Sequence, residues 1–176
     1  MKRLGLLFIT AYLAMPAIAQ TDSIGVYSVR GSAVERVDLL KYRQTKITVG
    51  KAKLVFPGET SKNRFTDVAT FQLYFGIPSP YEVGKYYMFT PSYSVNDFSV
   101  GKFDVKNGSR YLTTARISMF GSKIGASEAK DLTVQCTKLH DNAYKITITG
   151  PAGEYCIMPI VNGTAGYTGV FDFTIE

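Results

Sequence analysis

His140, in the stretch Leu139-His140-Asp141-Asn142, is the one histidine of the sequence. As a general base it would need a nucleophile within hydrogen-bond reach, and a zinc site would need further histidines or thiolates. A lone histidine among turn-forming residues supplies neither, and it is read as a turn residue. No G-x-S-x-G, H-E-x-x-H or C-x-x-C pattern occurs. The acidic residues stand singly, and a glycosidase-like pair of carboxylates would meet only in space. The sequence therefore assigns no catalytic residue, no cofactor-binding residue and no metal ligand. The expectation is a non-catalytic protein; the rival is an unrecognised hydrolase, which carboxylates gathered around His140 would support.

Two further groups of side chains could recognise a partner. Between Lys41 and Arg64, the cations Lys41, Arg43, Lys46, Lys51, Lys53, Lys62 and Arg64 face only Glu59. Such a run suits an acidic protein, an anionic glycan or anionic lipid, or it guards strand edges. The stretch from Ser79 to Phe98 holds Tyr81, Tyr86, Tyr87, Phe89, Tyr93 and Phe98, with Pro80, Gly84 and Pro91 between them. If Lys85–Thr90 is a strand, Tyr86 and Tyr87 cannot both enter a one-sided core. Tyr81, Tyr87 and Tyr93 are thus the candidate interaction face, since exposed tyrosines offer rigid contact area at low entropy cost. The alternative leaves Tyr86, Met88 and Tyr93 in the core, with Tyr87 and Phe89 covering a sheet rim.

Strands must position these residues. Tyr144, Ile146 and Ile148 alternate with Lys145, Thr147 and Thr149, and Leu132, Val134 and Cys136 share one parity. Phe171, Phe173 and Ile175 alternate with Asp172 and Thr174. Further strands are expected in IGVYSV, AVERVD, KAKLVF, VATFQLYFG, KYYMFT, FSVGKFDV and YLTTARISMF, separated by turn signals at Gly31, Gly58, Asn107-Gly108 and Asp141-Asn142. Only 38–43 and 126–130 could be helical. Phe98 and Val100 have opposite parity to Phe103 and Val105, so a bulge at Gly101 is expected to restore one face. Around Asp141, pairing Leu139 with Ala143 sets Lys138, Cys136 and Val134 opposite Tyr144, Ile146 and Ile148, with Asn142 left-handed. The fold expected is an all-β, antiparallel sandwich of about ten short strands in one domain, with a closed up-and-down barrel carrying a small apolar ligand as the alternative.

Two cysteines in an oxidising compartment invite a disulfide. The register turns Cys136 inward, whereas an inward Tyr155 turns Cys156 outward. Bridged Cβ atoms lie ~3.8 Å apart, so this facing opposes a bridge. CIMPI is apolar on both parities, and the pairing stays open. Gly163, Gly166 and Gly169 lie between strands, without the helix N-terminus that a phosphate cradle needs.

Residues 1–19 are read as a signal peptide: Lys2 and Arg3, an apolar run from Leu4 to Met15, Pro16, and Ala17-Ile18-Ala19 before Gln20. The run falls short of the ~20 residues of a transmembrane helix. The domain is then 20–176, exported to the periplasm or secreted, with no later transmembrane segment and no nucleic-acid partner expected. Setting Lys2 and Arg3 aside from a net charge of +6 leaves it basic.

The stretch Ile148-Thr149-Gly150-Pro151-Ala152-Gly153-Glu154-Tyr155-Cys156 resembles the crossover of immunoglobulin-like and fibronectin-type sandwiches. There a tyrosine opening the next strand bonds back to upstream backbone, a role the resemblance gives to Tyr155. The family cysteine falls two residues after that tyrosine, whereas Cys156 follows at once. Gly25-Val26-Tyr27, Asp97-Phe98, Arg110, Gly153-Glu154-Tyr155 and Phe171-Asp172-Phe173 also resemble exported bacterial all-β proteins of uncharacterised function. That resemblance implies a sandwich-like fold and an envelope or secreted location, and it carries no catalytic residue. The function expected is a binding or interaction module of the cell envelope.

Overall fold

The computed structural model describes residues 23–48, 50–118, 121–124, 131–159 and 169–176. The leader expected at 1–19, the helical expectation at 126–130, and Gly163 and Gly166 lie outside them. Among the described residues, fourteen strands form three sheets. The first runs β11 (Thr133–His140), β12 (Ala143–Thr149), β6 (Val68–Tyr74), β1 (Gly25–Arg30), β2 (Ala33–Arg36). The second runs β10 (Gly121–Ile124), β9 (Ser109–Ser118), β4 (Lys51–Pro57), β3 (Gln44–Thr48), and β8 (Asp104–Lys106) also pairs β9. The third runs β5 (Arg64–Phe65), β14 (Phe171–Ile175), β13 (Gly153–Pro159), β7 (Phe98–Lys102). All these pairings are antiparallel except β5 with β14, which is parallel.

The third sheet is the middle layer. On one side Tyr155, Ile157, Phe171, Phe173 and Ile175 meet Val26, Phe71, Leu73, Ile146 and Ile148 of the first sheet. On the other, Cys156 and Met158 meet Leu54, Phe56 and Leu112 of the second. Every residue of β14 is consequently buried, its polar ones included. Phe71 and Phe173 interlock edge to face at 5.0 Å, and burying each such ring is worth about 1.5–3 kcal/mol. The sheets form a sandwich and do not close, so the barrel expectation falls.

Turn chemistry sets the local geometry. Asn107 and Gly108 both take positive φ (51° and 73°) between paired Lys106 and Ser109, the mirror-type turn that fits strand twist. In the β11–β12 hairpin, Lys138, Cys136 and Val134 face Tyr144, Ile146 and Ile148 as expected, but His140, not Leu139, pairs with Ala143. The register shifts at Leu139, and Asn142 does not take the left-handed position. Absorbing one residue as a bulge tightens the loop to Asp141-Asn142.

Three other expectations are corrected. Lys85–Thr90 is no strand: α1 (Val83–Tyr86) passes directly into a 3-10 turn over Tyr87–Phe89. An unbroken apolar run carries no period of two, and a helical turn sends Tyr86, Met88 and Phe89 into the core together. Gly101 makes no bulge, since β7 pairs β13 in unbroken register from Phe98 to Lys102. The parity changes because the chain changes sheets at Phe103: Phe98 and Val100 pack on the first core, Phe103 on the second, and Val105 is exposed. Residues 38–43 form no helix; Leu40 there exchanges backbone hydrogen bonds with Val170 at 2.8 and 3.0 Å.

Candidate functional site

The outer face of the second sheet carries a lysine-lined cleft. Leu54 and Phe56 of β4 point toward the third sheet, so Lys51 and Lys53 take the opposite parity and face out. Lys46 of the edge strand β3 lies directly opposite Lys53, and Thr48 opposite Lys51. On the far side of β4, β9 presents Tyr111, paired with Asp104 of β8, and Lys106 stands two residues beyond on the same face. These side chains, with Asn107, line an open cleft of about 650 Å³. Among the described lining residues the one carboxylate, Asp104, holds Lys53 through a 2.9 Å ion pair. Four lysines against one aspartate leave the cleft strongly positive.

Two like charges directly opposed across a strand pair cost stability. Edge protection would account for Lys46 on β3 and Lys106 on β8, each paired on one side, but not for Lys53 on the inner strand β4. The sequence showed the basic run but not its division: the register puts Lys46, Lys51 and Lys53 together and brings in Lys106 from another part of the chain. Lys41, Lys62 and Arg64 do not line the cleft, and Arg64 instead pairs with Glu176 at 2.8 Å.

The three tyrosines read as an interaction face have different settings. Tyr81 is 98% exposed on the turn before α1. Tyr87 and Tyr93 are half-buried against the main core, their rings crossed edge to face at 6.0 Å. Burial, with Tyr93 nearby, raises the Tyr87 phenol above its ordinary pKa. Tyr155 is fully buried, and its hydroxyl donates to the Pro151 carbonyl at 2.8 Å, four residues back. That is the tyrosine-corner geometry, at the point where the chain leaves β12 for β13.

His140 sits at the β11–β12 turn on the first sheet, its ring 6.1 Å from that of Tyr74. Two carboxylates that share one partner lie elsewhere, between the second and third sheets. Arg110 Nη1 donates to Asp172 Oδ2 at 2.6 Å and to Glu154 Oε2 at 3.3 Å, and Nη2 donates to the Pro57 carbonyl at 3.2 Å. Glu154 also accepts from the Ser61 backbone at 2.9 Å and from Thr174 Oγ1 at 2.6 Å. These buried carboxylates are engaged in holding two sheets together, and His140 is not among them. Resemblance motifs had singled out Arg110, Glu154 and Asp172 separately; nothing in their spacing announced that they meet.

The two cysteines take the opposite faces expected of them, but their burial is reversed from expectation. Cys156 is fully buried against the second sheet, because the middle sheet has two covered faces, and that burial drives its thiol pKa far up. Cys136 shares the face of its pair partner Ile146 but stays exposed on the edge strand β11. It lines an apolar groove of about 310 Å³ with Val134, Ile146, Phe98 and Val100. The two thiols are free. Among the described residues no group of three or more histidine, cysteine or acidic side chains is placed to hold a metal ion, and no helix is long and apolar enough to cross a membrane.

Comparison with known proteins finds no matching family model, no matching curated protein and no matching solved structure.

Proposed function

We propose that this protein is an exported, non-catalytic β-sandwich that binds an anionic partner of the cell envelope, an acidic protein or an anionic glycan, through the lysine cleft of its second sheet. The observation that carries the reading is the direct opposition of Lys46 and Lys53, with Lys51 and Lys106 in the same cleft. Concentrated like charge is costly to the fold and useful to a ligand of opposite sign. The expected leader at residues 1–19 supports export, which makes envelope polyanions the available partners and nucleic acid not one of them. The reading gives no residue a catalytic role, because the carboxylates that approach each other are bonded to Arg110.

The test compares retention of the mature chain on immobilised polyglutamate and on immobilised polygalacturonate. One triple variant replaces Lys46, Lys53 and Lys106 with glutamine; a charge-matched control replaces Lys41, Lys62 and Lys145, which are exposed elsewhere. Retention on at least one polymer by the wild type and the control, with loss in the cleft variant, supports the reading. Equal losses in the two variants would reduce the cleft to a share of net charge and overturn it.

A further inference from the structure

Resting on that reading, the geometry points to a narrower partner: we propose that the lysine cleft takes an extended polyanionic saccharide laid across the strands of the second sheet. The cleft's cations are distributed over β3, β4 and β8, with β9 between the last two. Strands lie about 4.8 Å apart, so three strand steps separate Lys46 from Lys106 by at least about 14 Å. A single phosphate or carboxylate engages one end of such an array; a chain bearing repeated charges engages all of it.

The lining residues separate a saccharide from an acidic protein. Protein interfaces concentrate aromatic residues, methionine and arginine in a dry centre and are depleted in lysine. Here every cation among the described lining residues is lysine, a hydrated point charge that meets single anionic oxygens without demanding a planar fork. The apolar side chains are Tyr111 and the 45% exposed Val105, too few for a desolvated protein hot spot. One half-exposed tyrosine ring is instead suited to the apolar face of a single sugar ring. Thr48, Asn107 and the Tyr111 hydroxyl provide uncharged donors and acceptors between the lysines, matching a ligand whose charges alternate with hydroxyl groups. A concave cleft also seats a chain better than the flat surface of a bilayer.

Asp104 gives the proposal its sharpest handle. It is 69% exposed and holds Lys53, so it competes with any anion in the cleft. Asp104→Asn should therefore tighten binding, whereas loss of a merely structural ion pair should not.

The experiment is calorimetric titration of the mature chain with oligogalacturonates of increasing length, a hexaglutamate peptide, a neutral oligosaccharide of matched length, and phosphatidylglycerol vesicles. Affinity should rise with oligogalacturonate length until the chain spans the cleft, then level off. Each of Lys46→Gln, Lys53→Gln and Lys106→Gln should weaken it about two- to fivefold, the scale of an exposed charge contact, and Asp104→Asn should strengthen it by a similar factor. Lysine-dependent binding of hexaglutamate or vesicles at least as tight as that of the longest oligogalacturonate would overturn the saccharide proposal and leave the anion-binding reading standing. Failure of all three anionic probes would overturn both.

Discussion

At the scale of single residues, polar groups divide into buried ones that fix the fold and exposed ones left for partners. Tyr155 belongs to the first kind: fully buried, with its hydroxyl on the Pro151 carbonyl. Tyr155→Phe removes that one hydrogen bond and should cost about 1 kcal/mol by chemical denaturation; a change within a few tenths would contradict a corner role. Arg110 has more at stake, because it is the counter-charge to both Glu154 and Asp172 in a buried setting. Arg110→Met strands two carboxylates and should destabilise by about 3–5 kcal/mol, the scale found when one partner of a buried pair is removed. Lys46 sits at the other extreme. Lys46→Gln relieves repulsion with Lys53, so its denaturation midpoint should stay level or rise slightly while anion binding falls.

Elements show where sequence reasoning is strong and where it stops. The β11–β12 register was legible because three pairs align on one face, and the Asn107-Gly108 turn because those two residue types tolerate positive φ. Gly108→Ala should cost about 1 kcal/mol or more, measured the same way, since its φ of 73° disfavours a Cβ although open space surrounds it. The run Tyr86-Tyr87-Met88-Phe89 was not legible, because four bulky residues in succession fit a strand buried on both faces or a helical turn equally well. Contacts from far along the chain settled it. Glu82 joins Arg36 of β2 at 2.7 Å, and the Arg36 guanidinium lies 4.3 Å from the centre of the Tyr86 ring. Hydrogen bonds from Arg36 and then Ser79 hold the Glu82 carboxyl below its ordinary value near 4.5. The stabilisation is thus complete above that value and is lost as pH falls through the depressed one. The Tyr86 ring resonances should shift with a midpoint below 4.5, and Arg36→Gln should abolish that titration.

For the whole molecule, alternation revealed an all-β fold but not its three layers. A middle sheet covered on both faces needs strands buried at every position, as β14 is. Asp172 and Thr174 masked this by reading as a solvent face; only the meeting of Asp172 with Arg110, and of Thr174 with Glu154, shows why polar residues sit there. The same gap between sequence and space hid the candidate site. Lys46 and Lys53 are neighbours through the β3–β4 register, while Lys106 arrives through a separate hairpin. The tyrosine-rich stretch drew attention first, yet it divides into an exposed Tyr81 and a half-buried Tyr87–Tyr93 pair. The most direct measurement is a nuclear magnetic resonance titration of isotope-labelled residues 20–176 with hexagalacturonate, following backbone amides. The account predicts shifts gathered on Gln44–Thr48, Lys51–Lys53 and Asp104–Tyr111; shifts gathered instead around Tyr81–Tyr93, or along the groove at Val134, Cys136 and Val100, would contradict it.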